Sequence, residues 1–242
     1  MVVRTILKNK PNIYENKKDI VTIDGPSGSG KSTISRIVAS RLDYTFLDTG
    51  AMYRAVGYKA RQEGVDLEDE EALSRVLDTL DLTLLPGNGD TRVLLGKTDI
   101  SSAIRTAEMG LVASKVSAQP IVRQKLTGMQ QKIGEQGKIV AEGRDTGTVV
   151  FPDARYKFYL DASPEERARR RSLQLLEKGE KADEQDILAQ IIKRDTNDSS
   201  RTLAPLKAAD DAVIIDSSIL SIDEVVCYIL EKISASLANS SK

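Results

Sequence analysis

The sequence predicts an α/β fold in which a parallel sheet is flanked by helices. Three observations point there. Short, apolar, β-branched runs of strand length recur along the chain, the stretches between them carry apolar residues at helical spacing, and a glycine-rich turn joins the first run directly to the first helix. With 242 residues, 40% hydrophobic and 29% charged, the chain has material for one substantial core with an insertion.

The elements follow in order. Asp19 to Asp24 is an apolar run halted by Gly25 and Pro26, which reads as a buried strand. Beyond the turn, Ile34, Ile37, Val38 and Leu42 recur at helical spacing. A second strand, Tyr44 to Leu47, passes through Asp48 and Gly50 into a helix containing Tyr53 and Arg54. Between about 65 and 133 the rhythm breaks. There Leu82 to Leu85, the turn from Pro86 to Asp90, and Arg92 to Leu95 predict a hairpin, followed by helical periods from Ser102 that are interrupted at Pro120. This segment reads as an inserted subdomain. Strand candidates return at Lys138 to Ala141, Lys157 to Leu160 and Ala212 to Ile215, each apolar enough for a buried parallel sheet. Two later helices open on Ser-x-x-Glu boxes, at Ser163 (with Pro164 in the first helical position) and at Ser221. The expected organisation is a flexible leader over 1–18, one domain over 19–233 with its core in 19–64 and 138–233, and a flexible tail over 234–242 outside the fold.

Composition narrows the function classes. A formal charge of −1 and a pI of about 5.8 leave no global field to attract nucleic acid or an anionic membrane, so anion binding must be local. No run of 18 apolar residues is long enough to span a membrane, and the first residues lack the pattern of a signal peptide. The single cysteine, Cys227, cannot form an internal disulfide; it reads as a small buried apolar residue in a reducing, cytoplasmic setting.

The turn after the first strand is Gly25, Pro26, Ser27, Gly28, Ser29, Gly30, Lys31 and Ser32, a match to G-x-x-x-x-G-K-S followed by Thr33. Between a strand and a helix, such a loop wraps phosphates with backbone N–H groups, and the helix N-terminus adds positive charge. Lys31 is then expected on the outer phosphates of ATP and Ser32 on Mg²⁺. A phosphate loop alone leaves GTPases, motor ATPases and small-molecule kinases open. The guanine-reading pattern N-K-x-D occurs at Asn16 to Asp19, but ahead of the loop instead of well downstream, and reads as coincidence.

The second motif, Leu47-Asp48-Thr49-Gly50-Ala51-Met52-Tyr53-Arg54, offers a hydroxyl, a flexible glycine and a cation to a second anion. Further along come Ile104 to Thr106, Pro120 to Arg123, the run Glu142-Gly143-Arg144-Asp145-Thr146-Gly147-Thr148, Arg169 to Arg171, and the set Arg194, Asp195, Asp198 and Arg201. In order and spacing these stretches closely resemble the bacterial-type cytidylate kinases, from about Ile20 to Leu230. The resemblance implies the P-loop NTPase fold with an inserted monophosphate-binding subdomain at about 65–133 and a helical lid at about 164–182. It further implies transfer of the terminal phosphoryl group of ATP, with Mg²⁺, to CMP and dCMP by a monomer.

Carried over residue by residue, the resemblance puts Thr49, Arg54 and Arg201 on the monophosphate, with Tyr53 also lining the substrate pocket. The family often has Ser where this chain has Thr49, and the hydroxyl is kept. Ser114, Arg123 and Asp145 fall to cytosine, Arg194 and Asp198 to the sugar, and Arg144 to the transferring group. The base chemistry agrees, because cytosine shows a donor amine at N4 beside acceptors at N3 and O2, while Asp145 accepts and Arg123 donates. Uracil would set acceptor against acceptor and donor against donor. Glu142 is a second candidate for Mg²⁺, acting through water. Arg167, Arg169, Arg170 and Arg171 read as a lid cluster that closes over ATP; on a helix Arg167 and Arg171 share a face while Arg169 points elsewhere, so some of the four are only solvated, and Arg170 is expected at the reaction centre. The chain has no histidine, and an attacking phosphate oxygen that is already anionic needs no protein base. Two rival readings stand beside this one: another small P-loop kinase with UMP, AMP or shikimate as acceptor, and a nucleotide-binding regulator without catalysis.

Overall fold

The computed structural model describes residues 18–86, 91–177 and 179–240. Most of the polar leader, the hairpin turn at 87–90 and the last two residues of the tail lie outside the described residues. The chain opens with β1 (Lys18–Asp24), α1 (Lys31–Leu42), β2 (Thr45–Asp48) and α2 (Thr49–Gln62). The inserted stretch supplies α3 (Glu70–Asp78), β3 (Leu82–Pro86), β4 (Thr91–Leu95), β5 (Thr98–Asp99), α4 (Ala107–Val116) and α5 (Pro120–Ile133). The rest is β6 (Ile139–Gly143), β7 (Ala154–Asp161), α6 (Pro164–Glu177), α7 (Glu184–Ser199), β8 (Val213–Asp216) and α8 (Ile222–Ser240).

Five strands form an all-parallel sheet in the order β2-β6-β1-β7-β8. The sequence reason is burial on both faces: Ile20 through Asp24 are all buried, and successive side chains of β1 enter opposite layers. Ile20 packs with Met52, Val56, Leu73, Leu126 and Phe151 on one face. Val21 and Ile23 pack with Ile34, Val38, Val225 and Ile229 on the other. The small antiparallel sheet β3-β4-β5 carries the predicted hairpin plus a short third strand, and Val93 of β4 packs with Ala51 and Ala55 of α2.

The one core takes in the inserted 65–133 stretch as well, since Leu73, Val76 and Leu126 share a cluster with Ile20, Leu47 and Ile139 of the main sheet. Two expectations change. The tail expected from residue 234 is instead the last turns of α8, which runs to Ser240 with Ile233 buried. Cys227 is exposed, because Val225, Val226, Ile229 and Ile233 form the inward stripe of α8 and residue 227 falls outside it.

The boxes at Ser163 and Ser221 behave differently. At α8, Glu224 N–H donates to Ser221 Oγ at 3.3 Å while Ser221 N–H donates to Glu224 Oε2 at 2.8 Å, the full reciprocal arrangement. At α6, Ser163 Oγ accepts from Glu166 N–H at 3.2 Å, but the Glu166 carboxylate turns away to Arg169 and Arg170.

Candidate active site

The carboxyl ends of the parallel strands bring Asp24, Asp48 and Glu142 to one edge of the sheet, where open α/β sheets bind their ligands. The phosphate loop leaves β1 there and enters α1. Gly25 is obligatory by packing: a Cβ on it would collide with the Leu160 carbonyl oxygen of neighbouring β7. Lys31 is buried, and its ammonium donates back into the loop, to the Pro26 carbonyl at 2.5 Å and to Ser29 Oγ at 3.4 Å. Burial and the nearby Arg144 push its pKa well down, so a phosphate arriving here supplies the counter-charge the ammonium lacks. Ser32 Oγ donates to Glu142 Oε1 at 2.8 Å. The other carboxylate oxygen, Oε2, is buried without a hydrogen-bond partner, and burial together with Asp48 pushes the Glu142 carboxyl up.

Beside the loop lies an inner cavity of about 170 Å³. Six cationic side chains line it, Lys31, Arg54, Arg123, Arg144, Arg194 and Arg201, against four carboxylates, Asp48, Glu142, Asp145 and Asp198. The cavity is therefore an anion site. Asp48 does two jobs there: Oδ1 caps α2 by accepting from Ala51 N–H at 2.8 Å, and Oδ2 holds Arg54 at 2.9 Å. Asp198, on α7, is the hub for the others. It accepts from Arg144 Nε at 3.0 Å, Ser114 Oγ at 3.1 Å and Arg201, and Arg194 lies 4.0 Å away. One carboxylate cannot offset so many cations. Burial, reinforced by Arg144, lowers Arg194 to about 9, and burial with Arg123 lowers Arg201 to about 10.

At the inner end, Arg123 Nη1 donates to Asp145 Oδ2 at 2.8 Å, with both side chains under a tenth exposed. Tyr53 flanks the pair, its hydroxyl 3.5 Å from Arg123 Nη1 and its ring centroid 5.5 Å from the guanidinium carbon. Arg123 Nε is buried without a hydrogen-bond partner.

An outer cleft of about 1370 Å³ runs from the phosphate loop between α4 on one side and α6, α7 and the 217–222 segment on the other. The two spaces share Ser27, Gly28, Lys31, Ser32, Asp48, Arg54 and Arg194. Arg169, Arg170 and Arg171 line the outer cleft.

The sequence-predicted residues thus converge, with three adjustments. Arg167 is not a cleft arginine: it is 3% exposed, donates to the carbonyls of Ala162 and Ser27, and pairs with Asp195 at 2.7 Å, so it braces the loop from behind. Arg170 is held by Glu166 and by Ser217, on the outer wall and away from the inner cavity. The Thr49 hydroxyl donates to the Glu142 carbonyl at 2.6 Å, which leaves its lone pairs, not its proton, for other partners. Sequence reasoning missed Asp48, whose signal was its place directly before the helix of Thr49 and Arg54, and Ser117, which lines the inner cavity with no sequence signal.

Two anion sites meeting at one phosphate loop are what a phosphotransferase of the P-loop class needs, one for a triphosphate donor and one for an anionic acceptor. Comparison with known proteins is specific. The family model for cytidylate kinase matches residues 21–235. The chain is 46% identical over 211 residues to the cytidylate kinase of Carboxydothermus hydrogenoformans, covering 87% of this chain and 95% of that one. It is 47% identical over 223 residues to that of Geobacter sp. strain M21 (92% and 96%), and 51% identical over 207 residues to that of Methylococcus capsulatus (86% and 93%). The chain belongs to the cytidylate kinase family.

Proposed function

We propose that this protein transfers the γ-phosphoryl group of ATP to CMP, and to dCMP, in the two spaces that meet at Lys31 and Ser32. The observation that carries the reading is the buried Arg123–Asp145 pair at the end of a cation-lined cavity opening onto the phosphate loop. That cavity supports an acceptor with an anionic end and a base presenting a donor beside acceptors, a pattern that cytosine has and uracil lacks. ATP occupies the outer cleft with its phosphates in the loop, and Arg169, Arg170 and Arg171 over it. The inner cavity takes the monophosphate on Arg54 and Arg201, with Thr49 and Tyr53 beside it. Asp198, Arg194 and Ser114 fall to the sugar, and Ser114, bonded to Asp198, belongs with that group more than with the base readers.

Catalysis in this reading is positioning and charge compensation. The attacking oxygen of the CMP phosphate is already anionic, so no side chain needs to take its proton. Lys31 and Arg144 converge where donor and acceptor phosphates would otherwise repel. The lid helices exclude water that would hydrolyse ATP. Ser32 and Glu142 fit Mg²⁺: a hydroxyl and a buried carboxylate with an orphaned oxygen are hard oxygen donors, and such an ion keeps most of its shell for phosphates and water. When bound, the ion neutralises the phosphate oxygens. No helix among the described residues is long and apolar enough to cross a membrane.

The deciding experiment is ADP formation from ATP and Mg²⁺ with CMP, dCMP, UMP, AMP and shikimate in turn. Turnover confined to CMP and dCMP is expected. A preference for UMP or AMP would overturn the roles of Arg123 and Asp145, and ATP binding without acceptor-dependent ADP release would identify a regulator.

A further inference from the structure

β1 ends in a carboxylate that this chemistry leaves unused. Asp24 is buried directly ahead of Gly25, and its hydrogen bonds run across the sheet edge to another loop. Oδ1 accepts from the Thr146 backbone N–H at 2.9 Å and from the Thr146 hydroxyl at 2.7 Å; Oδ2 accepts from the Gly147 N–H at 2.7 Å. Residues Thr146–Val150 form a single π-helical turn, closed by the N–H groups of Val149 and Val150 on the Asp145 carbonyl and of Phe151 on the Thr146 carbonyl. The opening N–H groups of a helical turn have no acceptor inside it. Here Thr146 and Gly147 carry those groups, and Asp24 meets them from a strand more than a hundred residues earlier.

Asp145 stands immediately before this turn and holds Arg123. The turn is also seated tightly, since a Cβ on Gly147 would lie 2.8 Å from Thr22 Oγ1 and 3.4 Å from Asp24 Oδ2. We propose that Asp24 is a positioning residue for acceptor recognition: by capping the turn after Asp145 it fixes the base-reading carboxylate relative to the phosphate loop that starts at Gly25. One side chain thereby sets the register between donor and acceptor sites. This rests on Asp145 and Arg123 reading the base, as argued above. An Asn at 24 would offer one acceptor and one NH₂ to three converging donors, so at least one N–H would face another donor.

The test is steady-state kinetics with CMP, UMP and ATP for wild type, Asp24→Asn, Thr146→Val and Thr146→Ser. Asp24→Asn is expected to raise the KM for CMP about tenfold and to lower the CMP/UMP specificity ratio by a similar factor, with the KM for ATP within about twofold. Thr146→Val removes one hydroxyl donor without touching β1 and is expected to shift the same two quantities about threefold, while Thr146→Ser, which keeps the hydroxyl, behaves as wild type. If Asp24→Asn does not fold, the Thr146 pair decides alone. Equal shifts for CMP and ATP, or an unchanged CMP/UMP ratio, would overturn the proposal. A wild-type enzyme that rejects CMP would instead remove the base-reading assignment on which it stands, an outcome distinct from a wild type that uses CMP while its variants keep full specificity.

Discussion

Lys31 carries the sharpest single-residue test. Its ammonium is buried and hydrogen-bonds to oxygens of the loop itself, with Glu142 and Asp24 as the nearby negative charges, so a phosphate in the loop adds counter-charge. Lys31→Ala is expected to lower kcat for CMP phosphorylation by about a hundredfold or more, measured as ADP release; a near wild-type rate would remove the loop from the chemistry. Asp145→Asn tests the base. The amide can turn its NH₂ toward the O4 of uracil, so the CMP/UMP ratio of kcat/KM should fall at least about tenfold. It also leaves Arg123 buried without its counter-ion, and melting should show a lower Tm. An unchanged ratio would mean that Asp145 merely pairs with Arg123. These residues were legible because their neighbours are unusual: Gly143 and Gly147 bracket Arg144 and Asp145 in a short run. Arg167 was not legible, because four near-consecutive arginines on one helix look alike until packing buries one and leaves three at the cleft.

Strands were the most readable elements, since an apolar run marks at least part of each of the five parallel strands, although β7 also takes in Arg155 and Lys157 and edge strand β8 leaves Ile214 exposed. The helix α8 was misjudged at its end, where 234–240 is rich in small and polar residues, yet Ile233 and the preceding stripe carry the helix onward. The junction of β1 with the turn at Thr146–Val150 makes a prediction about stability. Burial, only partly offset by the Gly147 and Thr146 hydrogen bonds, raises Asp24 from 3.8 to about 6. Between those values the folded chain holds a proton that the unfolded chain has released, so stability should fall as pH rises from about 4 to about 6. Asp24→Asn cannot titrate and should flatten that part of the profile, as read by denaturant unfolding across the window. A profile identical to wild type would mean that Asp24 is not the group responsible.

The two clefts meet at the loop and along Asp48, Arg54 and Arg194, and the walls of the outer one come from distant parts of the chain, α4 on one side and α6 with α7 on the other. Backbone hydrogen exchange should therefore respond unevenly to ligands. Adding a non-hydrolysable ATP analogue together with CMP is expected to slow exchange most in 105–111 and 169–190, with β1 and β6 already protected without ligand. Uniform slowing, or none in those two stretches, would argue against closure of the cleft over both substrates.

Local runs, and residue types with few other uses, made the strands, the phosphate loop and the acceptor motif readable before folding, and the family resemblance of those motifs supplied the chemistry. Folding alone revealed that the inserted stretch shares the main core, that Asp198 gathers arginines from separate elements, that Arg167 braces the loop, and that Asp24 caps a turn far along the chain. Each of those is a contact between segments distant in sequence, made by ordinary charged or apolar residues whose partners are chosen by packing.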